Sequence, residues 1–140
     1  MKTRTLAIIK PDAVASGHTG KIISRITNEG FSILGSKQIK MNLSQAEGFY
    51  EIHRGKPFFE ELTQFMSSGS CIVLALEKEN AVEEWRNVIG ATNPEEADEN
   101  TIRRLYAKDL GQNAVHGSDS IENGQKEIAY FFAEFELILN

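Results

Sequence analysis

Cysteine is almost absent from this chain, because Cys71 is the only one among 140 residues. No disulfide can form within the chain, and the apolar neighbours of Cys71 in SCIVLAL predict a reduced, buried thiol. Long apolar runs are also missing. No run reaches the roughly 20 residues of a membrane helix, and the run at residues 6–9 is shorter than the roughly 7 to 15 residues of a signal-peptide core. We therefore expect a cytoplasmic protein with no membrane segment.

Basic residues are outnumbered by acidic ones, with 15 lysines and arginines against 20 aspartates and glutamates, and the net charge is -5. A nucleic-acid surface would need a basic stripe, so this balance argues against nucleic acid as the main partner and leaves room for a local basic pocket. The hydrophobic fraction of 41% and the charged fraction of 25% are ordinary for a globular chain. The length predicts a single domain over residues 1–140.

Apolar periodicity predicts four strands, separated by helices. The strands are expected at residues 5–9, at 31–41 with a bulge near Gly35, at 71–76 with both faces buried, and at 113–116. The stretch 91–112 shows no periodicity and is predicted to be a long polar loop.

Capping signals predict where the helices begin and end. One helix carries Ile22 and Ile26, and further helices begin at a capping box of Ser44 and Glu47, at Pro57 and near residue 80. The last helix is predicted to begin at Asp119 as N-cap, with an apolar face made of Ile121, Ile128, Phe132 and Phe135. This order of elements predicts an α/β (α+β) chain of the ferredoxin-like, split βαβ type, in which helices pack over a four-stranded antiparallel sheet.

The most informative stretch is GQNAVHGSDSIENGQKE at residues 111–127. It places His116 between a predicted strand end and a predicted helix start, where free backbone amides and the helix dipole favour anions. A lone histidine in such a position is more often a buried residue satisfied by the backbone. Its chemistry therefore depends on the rest of the chain.

Other polar side chains lie beside predicted element ends, namely Lys10, Arg86, Thr92, Arg103 and Asn113. Taken alone, each of the cations is more often a surface charge. Tyr50 and Phe58 are, by the same reasoning, more often core residues than site residues.

Together, these segments resemble the nucleoside diphosphate kinases over essentially the full length of the chain. The run NAVHGSDS at residues 113–120 is similar to the active-site motif of that family. Further segments occur in the order and spacing of the family: TLAIIKPDAV, GFYEIHRGKPFFEEL, IGATNP, TIRRLYA and EIAYFF.

The resemblance implies a phosphotransferase that moves the γ-phosphoryl group of a nucleoside triphosphate to a nucleoside diphosphate in ping-pong order. His116 would be the phosphorylated residue, with Ser118 and Glu127 supporting its ring. The groups lining the phosphates and the ribose would be Lys10, Tyr50, Arg86, Thr92, Arg103 and Asn113, of which Lys10 and Tyr50 also belong to the catalytic set.

The resemblance also implies how the base, the metal and the subunits are arranged. Phe58 and Leu110 would hold the base with Leu62 beside them, and base recognition by stacking gives low discrimination among ATP, GTP and other nucleotides. Mg²⁺ would be carried by the nucleotide phosphates and not by protein side chains. The chain would form a homo-oligomer, either a dimer, a tetramer or a hexamer.

The sequence departs from the family pattern at two places. Glu99 and Asn100 stand where family members often have Pro-Gly, which bears on the stiffness of the 91–112 stretch, and Ser70 replaces a common proline. Two other functions are considered: an inactive relative that binds nucleotide or nucleic acid, and a histidine phosphocarrier that passes phosphate to a protein. The complete set of polar site residues argues against the first, and the base-holding pair argues against the second.

Overall fold

The frame of the computed structural model, which describes residues 1–138, is a four-stranded antiparallel sheet. Its strands are β1 (Lys2–Ile9), β2 (Ser32–Ile39), β3 (Cys71–Glu79) and β4 (Val115–Gly117). They lie in the order β2-β3-β1-β4, so β3 and β1 are central and the other two are edges. The predicted ferredoxin-like sheet is confirmed, and so is the bulge near Gly35, where the register between β2 and β3 shifts.

Helices cover both faces of this sheet. They are α1 (Pro11–Ala15), α2 (Thr19–Asn28), α3 (Leu43–Phe49), α4 (Phe59–Met66), α5 (Ala81–Ile89), α6 (Ile102–Tyr106) and α7 (Ile121–Phe131). Short 3₁₀ helices lie at Glu51–His53, Pro94–Glu96 and Glu134–Glu136. Within the described residues, every helix is too short or too polar to cross a lipid bilayer.

The core is divided into two layers by the alternation of side chains along the central strands. On β1, Ala7 and Ile9 face α2 and α5, whereas Leu6 and Ile8 face α3, α4 and α7. The apolar run at the start of β3 alternates in the same way and is buried on both faces, as predicted.

Helix α7 begins one residue later than predicted. Ser120 is its N-cap and accepts a hydrogen bond from the backbone N–H of Asn123, so the prediction of Asp119 as N-cap is wrong. Because α7 ends at Phe131, Phe135 lies beyond the helix and is 90% exposed, and Ile121 is half exposed. The predicted apolar face of this helix is therefore wrong at both ends.

The capping box of α3 also lies earlier than predicted. The backbone N–H of Gln45 donates to Asn42 Oδ1 at 2.8 Å, and the backbone N–H of Asn42 donates to Gln45 Oε1 at 2.9 Å. This pair satisfies the amides at the true start of the helix, so the predicted box of Ser44 and Glu47 is wrong.

Two short α-helices, α6 and α1, and one 3₁₀ helix lie outside the predicted elements. The 91–112 stretch contains α6 and a 3₁₀ helix, and it is therefore not a structureless loop. Helix α1 begins at Pro11, which suits the first position of a helix as well as the end of a strand, so the proline alone does not reveal the helix.

The register of the sheet brings distant segments together at one end. Ile8 pairs with His116 and Ile9 pairs with Val115, and the backbone N–H of Lys10 donates to the carbonyl of Ala114 at 2.8 Å. The residues that follow β1 therefore lie beside the residues that lead into β4.

Candidate active site

The side chain of His116 is held by a carboxylate. Its Nε2 atom lies 2.8 Å from Oε1 of Glu127, which α7 presents to β4. A carboxylate oxygen can only accept, so Nε2 carries the hydrogen and the lone pair of the neutral ring is on Nδ1. Nδ1 is therefore the nitrogen left for chemistry.

Ser118 fixes the position of that carboxylate. Its hydroxyl donates to Glu127 Oε1 at 2.7 Å and accepts from the backbone N–H of Leu6 at 3.0 Å. Ser118 is fully buried, and it connects α7 to the central strand β1. The carboxylate is thus anchored to the sheet and does not depend on α7 alone.

The backbone of His116 is also anchored. The indole N–H of Trp85 donates to the His116 carbonyl at 3.1 Å, and a Cβ at Gly117 would lie 2.8 Å from Trp85 Cδ1. The ring of Phe49 meets the imidazole edge-on, with centroids 5.5 Å apart. No sequence pattern indicated Trp85 or Phe49 as neighbours of His116, since both lie in other segments.

Lys10 and Arg103 are buried cations, so the interpretation of either as a surface charge is wrong. Lys10 is 7% exposed and Arg103 is 8% exposed. Burial lowers the pKa of Lys10 to about 8, with a further lowering by Arg103 and an opposing effect of Asp12. Burial, together with Arg86, lowers the pKa of Arg103 to about 10, which leaves it charged at neutral pH.

The guanidinium of Arg103 is held by backbone carbonyls. One terminal nitrogen donates to Gly90 at 2.9 Å and the other donates to Val115 at 3.0 Å. The buried Nε has no hydrogen-bond partner among residues 1–138. Arg103 is therefore a fixed, partly desolvated positive charge, which favours an anion beside it.

Lys10, Asn113 and Thr92 form a continuous polar chain. The ammonium of Lys10 donates to Asn113 Oδ1 at 2.8 Å, and the amide nitrogen of Asn113 donates to the carbonyl of Thr92 at 3.3 Å. These contacts join the end of β1 to the segments that follow α5 and precede β4.

Two clefts adjoin at Thr92. The larger, of about 700 Å³, is lined by Lys10, Thr92 and Asn113 together with the apolar side chains Phe58, Leu62, Phe65 and Leu110. The smaller, of about 330 Å³, is lined by Thr92, Arg86 and Arg103 among others. Of the predicted phosphate, ribose and base residues, all but Tyr50 therefore line one or both of these adjoining clefts. His116 lies outside the lining of both clefts, next to Val115, to which Arg103 binds.

Phe58 is not a core residue, since it is 46% exposed, and Leu110 is 59% exposed. Lys56 lies over the Phe58 ring, and His53, which was not predicted as a site residue, packs against the same ring with centroids 5.3 Å apart. The larger cleft thus has apolar walls that are open to solvent.

Tyr50 lies in the layer under the His116 site. It is 6% exposed, and its hydroxyl has no hydrogen-bond partner within residues 1–138. Burial raises its pKa well above the ordinary tyrosine value, and the charge of Glu127 raises it further. Its phenol is therefore a neutral group with an unused donor, close to the carboxylate that holds His116.

Asp12 is a site neighbour that the sequence did not indicate. It is buried at the start of α1, and its Oδ2 accepts from the backbone N–H of Ala114 at 3.1 Å. Ala114 has a φ of 73°, which is unusual for any residue other than glycine. The contact spans 102 residues, so no local pattern could have revealed it.

The comparisons with known proteins agree on one family. The family model described as nucleoside diphosphate kinase matches residues 3–137. The chain is 52% identical to a nucleoside diphosphate kinase of Syntrophotalea carbinolica, covering 96% of this chain and 98% of the relative. It is 55% identical to one of a Wolbachia species from Drosophila simulans, covering 96% of this chain and 97% of the relative. The chain belongs to the nucleoside diphosphate kinase family.

Solved structures of this family have the same fold. The Aquifex aeolicus nucleoside diphosphate kinase superposes with a TM-score of 0.97 at 43% identity, over 99% of this chain and 100% of that one. A halophilic nucleoside diphosphate kinase from Halobacterium salinarum, solved in complex with CDP, superposes with a TM-score of 0.95 at 35% identity. The match covers 100% of this chain and 93% of that one. The protein is thus an enzyme of this class, a nucleotide-binding kinase.

The departure at Asn100 has a simple conformational explanation, whereas nothing in the structure explains Glu99. Asn100 has a φ of 72°, in the left-handed region that glycine enters freely and that asparagine tolerates better than most residues. Asparagine can therefore occupy the position where family members often have glycine.

Enzymes of this family generally need a divalent cation. Among residues 1–138, no group of three or more histidine, cysteine, aspartate or glutamate side chains is arranged to hold a metal ion. The clefts instead present the cations Lys10, Arg86 and Arg103. This set of donors fits a polyphosphate.

Proposed function

We propose that this nucleoside diphosphate kinase transfers the γ-phosphoryl group from a nucleoside triphosphate to a nucleoside diphosphate through a phosphohistidine on Nδ1 of His116. The observation that supports this proposal most strongly is the contact of His116 Nε2 with Glu127. It leaves Nδ1 with a free lone pair, and an imidazole in this tautomer needs no separate base to attack phosphorus.

In the first half-reaction, the Nδ1 lone pair forms a bond to the γ-phosphorus while the bond from that phosphorus to the β–γ bridging oxygen breaks. The bridging oxygen keeps the electron pair and departs with the nucleoside diphosphate. The hydrogen on Nε2 stays between the ring and Glu127, which offsets the positive charge that develops on the ring. In the second half-reaction, a terminal oxygen of another diphosphate attacks the same phosphorus and the N–P bond breaks.

Lys10, Arg86 and Arg103 are the groups that would hold the phosphates. A hydrogen bond to a charged group contributes about 1.5 to 3 kcal/mol, whereas an acceleration of ~10⁶ needs roughly 8 kcal/mol. Three such contacts reach that value only if all their strength appears in the transition state, so alignment of the reacting groups must contribute as well. Mg²⁺, bound to the nucleotide phosphates, would supply further positive charge to those oxygens.

The apolar walls of the larger cleft support low base specificity. Phe58, Leu62 and Leu110 offer a stacking surface, and Asn113 lies deeper, beside Lys10, where the ribose would be held. Every base has a flat face, so stacking alone distinguishes poorly among bases. The Halobacterium salinarum relative was solved in complex with CDP, which supports nucleotide binding by this chain.

The resemblance to the family also supports a homo-oligomer, either a dimer, a tetramer or a hexamer. Light scattering of the purified protein would decide among these sizes, and a monomer at micromolar concentration would contradict the expectation.

Two-substrate kinetics test the proposed mechanism. With Mg-ATP as donor and a deoxynucleoside diphosphate as acceptor, reciprocal plots at several fixed acceptor concentrations should give parallel lines, because one pocket serves both substrates in turn. Lines that intersect would mean that both nucleotides bind together, and the phosphohistidine mechanism would then be wrong.

A chase of the isolated phosphoenzyme tests the acceptor. ADP, GDP, CDP and UDP should all remove the phosphoryl group at similar rates. Removal by a single diphosphate would contradict low base specificity, and removal only by a protein would favour a phosphocarrier. Nucleotide binding without any phosphoenzyme would favour an inactive binding module.

A further inference from the structure

We propose that Asp12 is a positioning residue of the phosphoryl-transfer site, which holds the Ala114 turn with one oxygen and balances the charge of Lys10. This role rests on the proposed function, because it concerns the same reaction. Asp12 is only 6% exposed, although carboxylates are seldom buried without a specific partner. Its Oδ2 accepts from the backbone N–H of Ala114 at 3.1 Å, across the gap between α1 and the segment before β4.

The turn at Ala114 needs such support. The backbone N–H of Val115 donates to the carbonyl of Asn113 at 2.8 Å, which closes a three-residue turn around Ala114. With a φ of 73°, this is the strained form of the γ-turn, which a residue other than glycine seldom adopts. The turn separates Asn113, which contacts Lys10, from the strand that carries His116.

Both backbone polar groups of Ala114 are hydrogen-bonded, one on each side of the residue. Its N–H donates to Asp12, and its carbonyl accepts from the backbone N–H of Lys10 at 2.8 Å. Without the Asp12 contact, the buried N–H would lose its partner, and relaxation of the turn would move Asn113 relative to His116. A shift of this kind affects alignment, to which phosphoryl transfer is sensitive.

The charge of Asp12 has a separate effect. Burial and the positive charge of Arg103 in α6 both disfavour the charged form of Lys10. The direct contact of the Lys10 ammonium is the neutral amide of Asn113. The negative charge that favours the ammonium comes from Asp12 in α1. Asp12 Oδ1 has no hydrogen-bond partner among residues 1–138, so no donor neutralises that part of the carboxylate. Removal of this charge would make Lys10 lose its proton at a lower pH.

Two substitutions separate these effects. Asp12→Asn keeps an oxygen that can accept from Ala114 but removes the charge. Its kcat/KM should therefore be only slightly below that of wild type near pH 7. At pH 9 it should be lower than wild type by a further ~10-fold, because Lys10 has then lost its proton. Asp12→Ala removes both, and kcat should fall about 10- to 100-fold at every pH. Glu29→Gln, a remote carboxylate substitution on the surface, is the control and should keep the wild-type pH profile.

If Asp12→Ala is unstable, the same substitution can be tested in a protein that also carries Ala114→Gly. Ala114→Gly removes the strain of the positive φ, so Asp12→Ala should cost less kcat in that background than in wild type. Equal losses in the two backgrounds, or an Asp12→Asn profile identical to wild type, would overturn the role of Asp12. A wild type that forms no phosphoenzyme would instead overturn the proposed function, so the two failures can be told apart.

Discussion

Oε1 of Glu127 accepts from both Nε2 of His116, at 2.8 Å, and the hydroxyl of Ser118, at 2.7 Å. The carboxylate therefore links the reactive ring to a fully buried serine that is itself bound to the backbone of β1. This arrangement selects Nδ1 as the reactive nitrogen and restricts rotation of the ring. The expected effects of substitutions at Glu127 follow from it.

Replacement of the carboxylate should reduce the chemical step more than nucleotide binding. We expect Glu127→Ala to lower kcat at least about 10- to 100-fold with little change in KM, by analogy with the carboxylate partners of metal-bound histidines, whose loss has effects of this size. Glu127→Gln, whose amide oxygen can still accept, should lose less. Stopped-flow measurement of phosphoenzyme formation checks this, with the exposed Glu122→Ala on the same helix as control. A kcat within twofold of wild type for Glu127→Ala would contradict the role of this contact.

Truncation of the exposed ring in the larger cleft should weaken nucleotide affinity without selectivity. Phe58→Ala should raise the Kd of ADP, GDP, CDP and UDP by similar factors of about 5 to 150, since stacking on an aromatic ring contributes about 1 to 3 kcal/mol per base. Calorimetry measures all four. Phe135→Ala, at a ring that is 90% exposed and belongs to neither cleft, is the matched control. A loss restricted to one base would indicate recognition of the base edge.

The pH dependence should report Lys10. In the free enzyme the pKa of the Lys10 ammonium is lowered from 10.5 to about 8. Because kcat/KM reports ionisations of the free enzyme, it should decline as the pH rises through about 8. Bound phosphate stabilises the charged form, so kcat should decline only at higher pH. Lys10→Arg should lose this alkaline decline, whatever its absolute rate, and a wild-type kcat/KM that stays constant to pH 9.5 would contradict the assignment.

The same lowered pKa affects stability with a definite sign. The folded chain binds this proton less tightly than the unfolded chain, so Lys10 disfavours folding below about pH 8 and this cost disappears as the pH rises toward 10.5.

Two glycine substitutions should change stability in opposite directions. A Cβ on Gly90 would lie 2.6 Å from Thr101 Oγ1, and the φ of 89° is unfavourable for alanine, so Gly90→Ala should cost about 2 kcal/mol or more in free energy of unfolding. It should also weaken nucleotide binding, because the Gly90 carbonyl holds Arg103. Gly20 lies in α2, and a Cβ added there would meet no atom within 4 Å, so Gly20→Ala should add up to about 1 kcal/mol. Urea denaturation measures both, and a stable Gly90→Ala protein would contradict the steric reasoning.

The sheet could be predicted from the sequence because its strands carry strong local patterns. The apolar run at the start of β3 can be buried on both faces only in a central strand, and Gly35 marked the bulge in β2. Helix α6 gave no such signal, because it has five residues and buries a charged one, Arg103. Thr101 caps the start of the helix, but the contacts that bury Arg103 are made with Gly90 and Val115, which lie in other segments.

The polar site was only partly predictable. Sequence position indicated Lys10 and Arg103 as candidates, but both are buried against distant segments, Lys10 at Asn113 and Arg103 at Gly90 and Val115, which no local pattern describes. The link from Asp12 to Ala114 and the link from Trp85 to the His116 carbonyl join residues that are far apart in the chain. Such contacts arise only once the sheet has set its register.

The most direct test of phosphoryl transfer through His116 is a single-turnover measurement with Mg-ATP labelled in the γ-phosphate. We expect wild type to take up close to one acid-labile label per chain, and phosphorus NMR should identify Nδ1 as the phosphorylated nitrogen. When CDP is added, the label should leave the enzyme as labelled CTP. His116→Ala should take up none. An unlabelled wild type, or a His116→Ala protein that still labels and turns over, would contradict the mechanism.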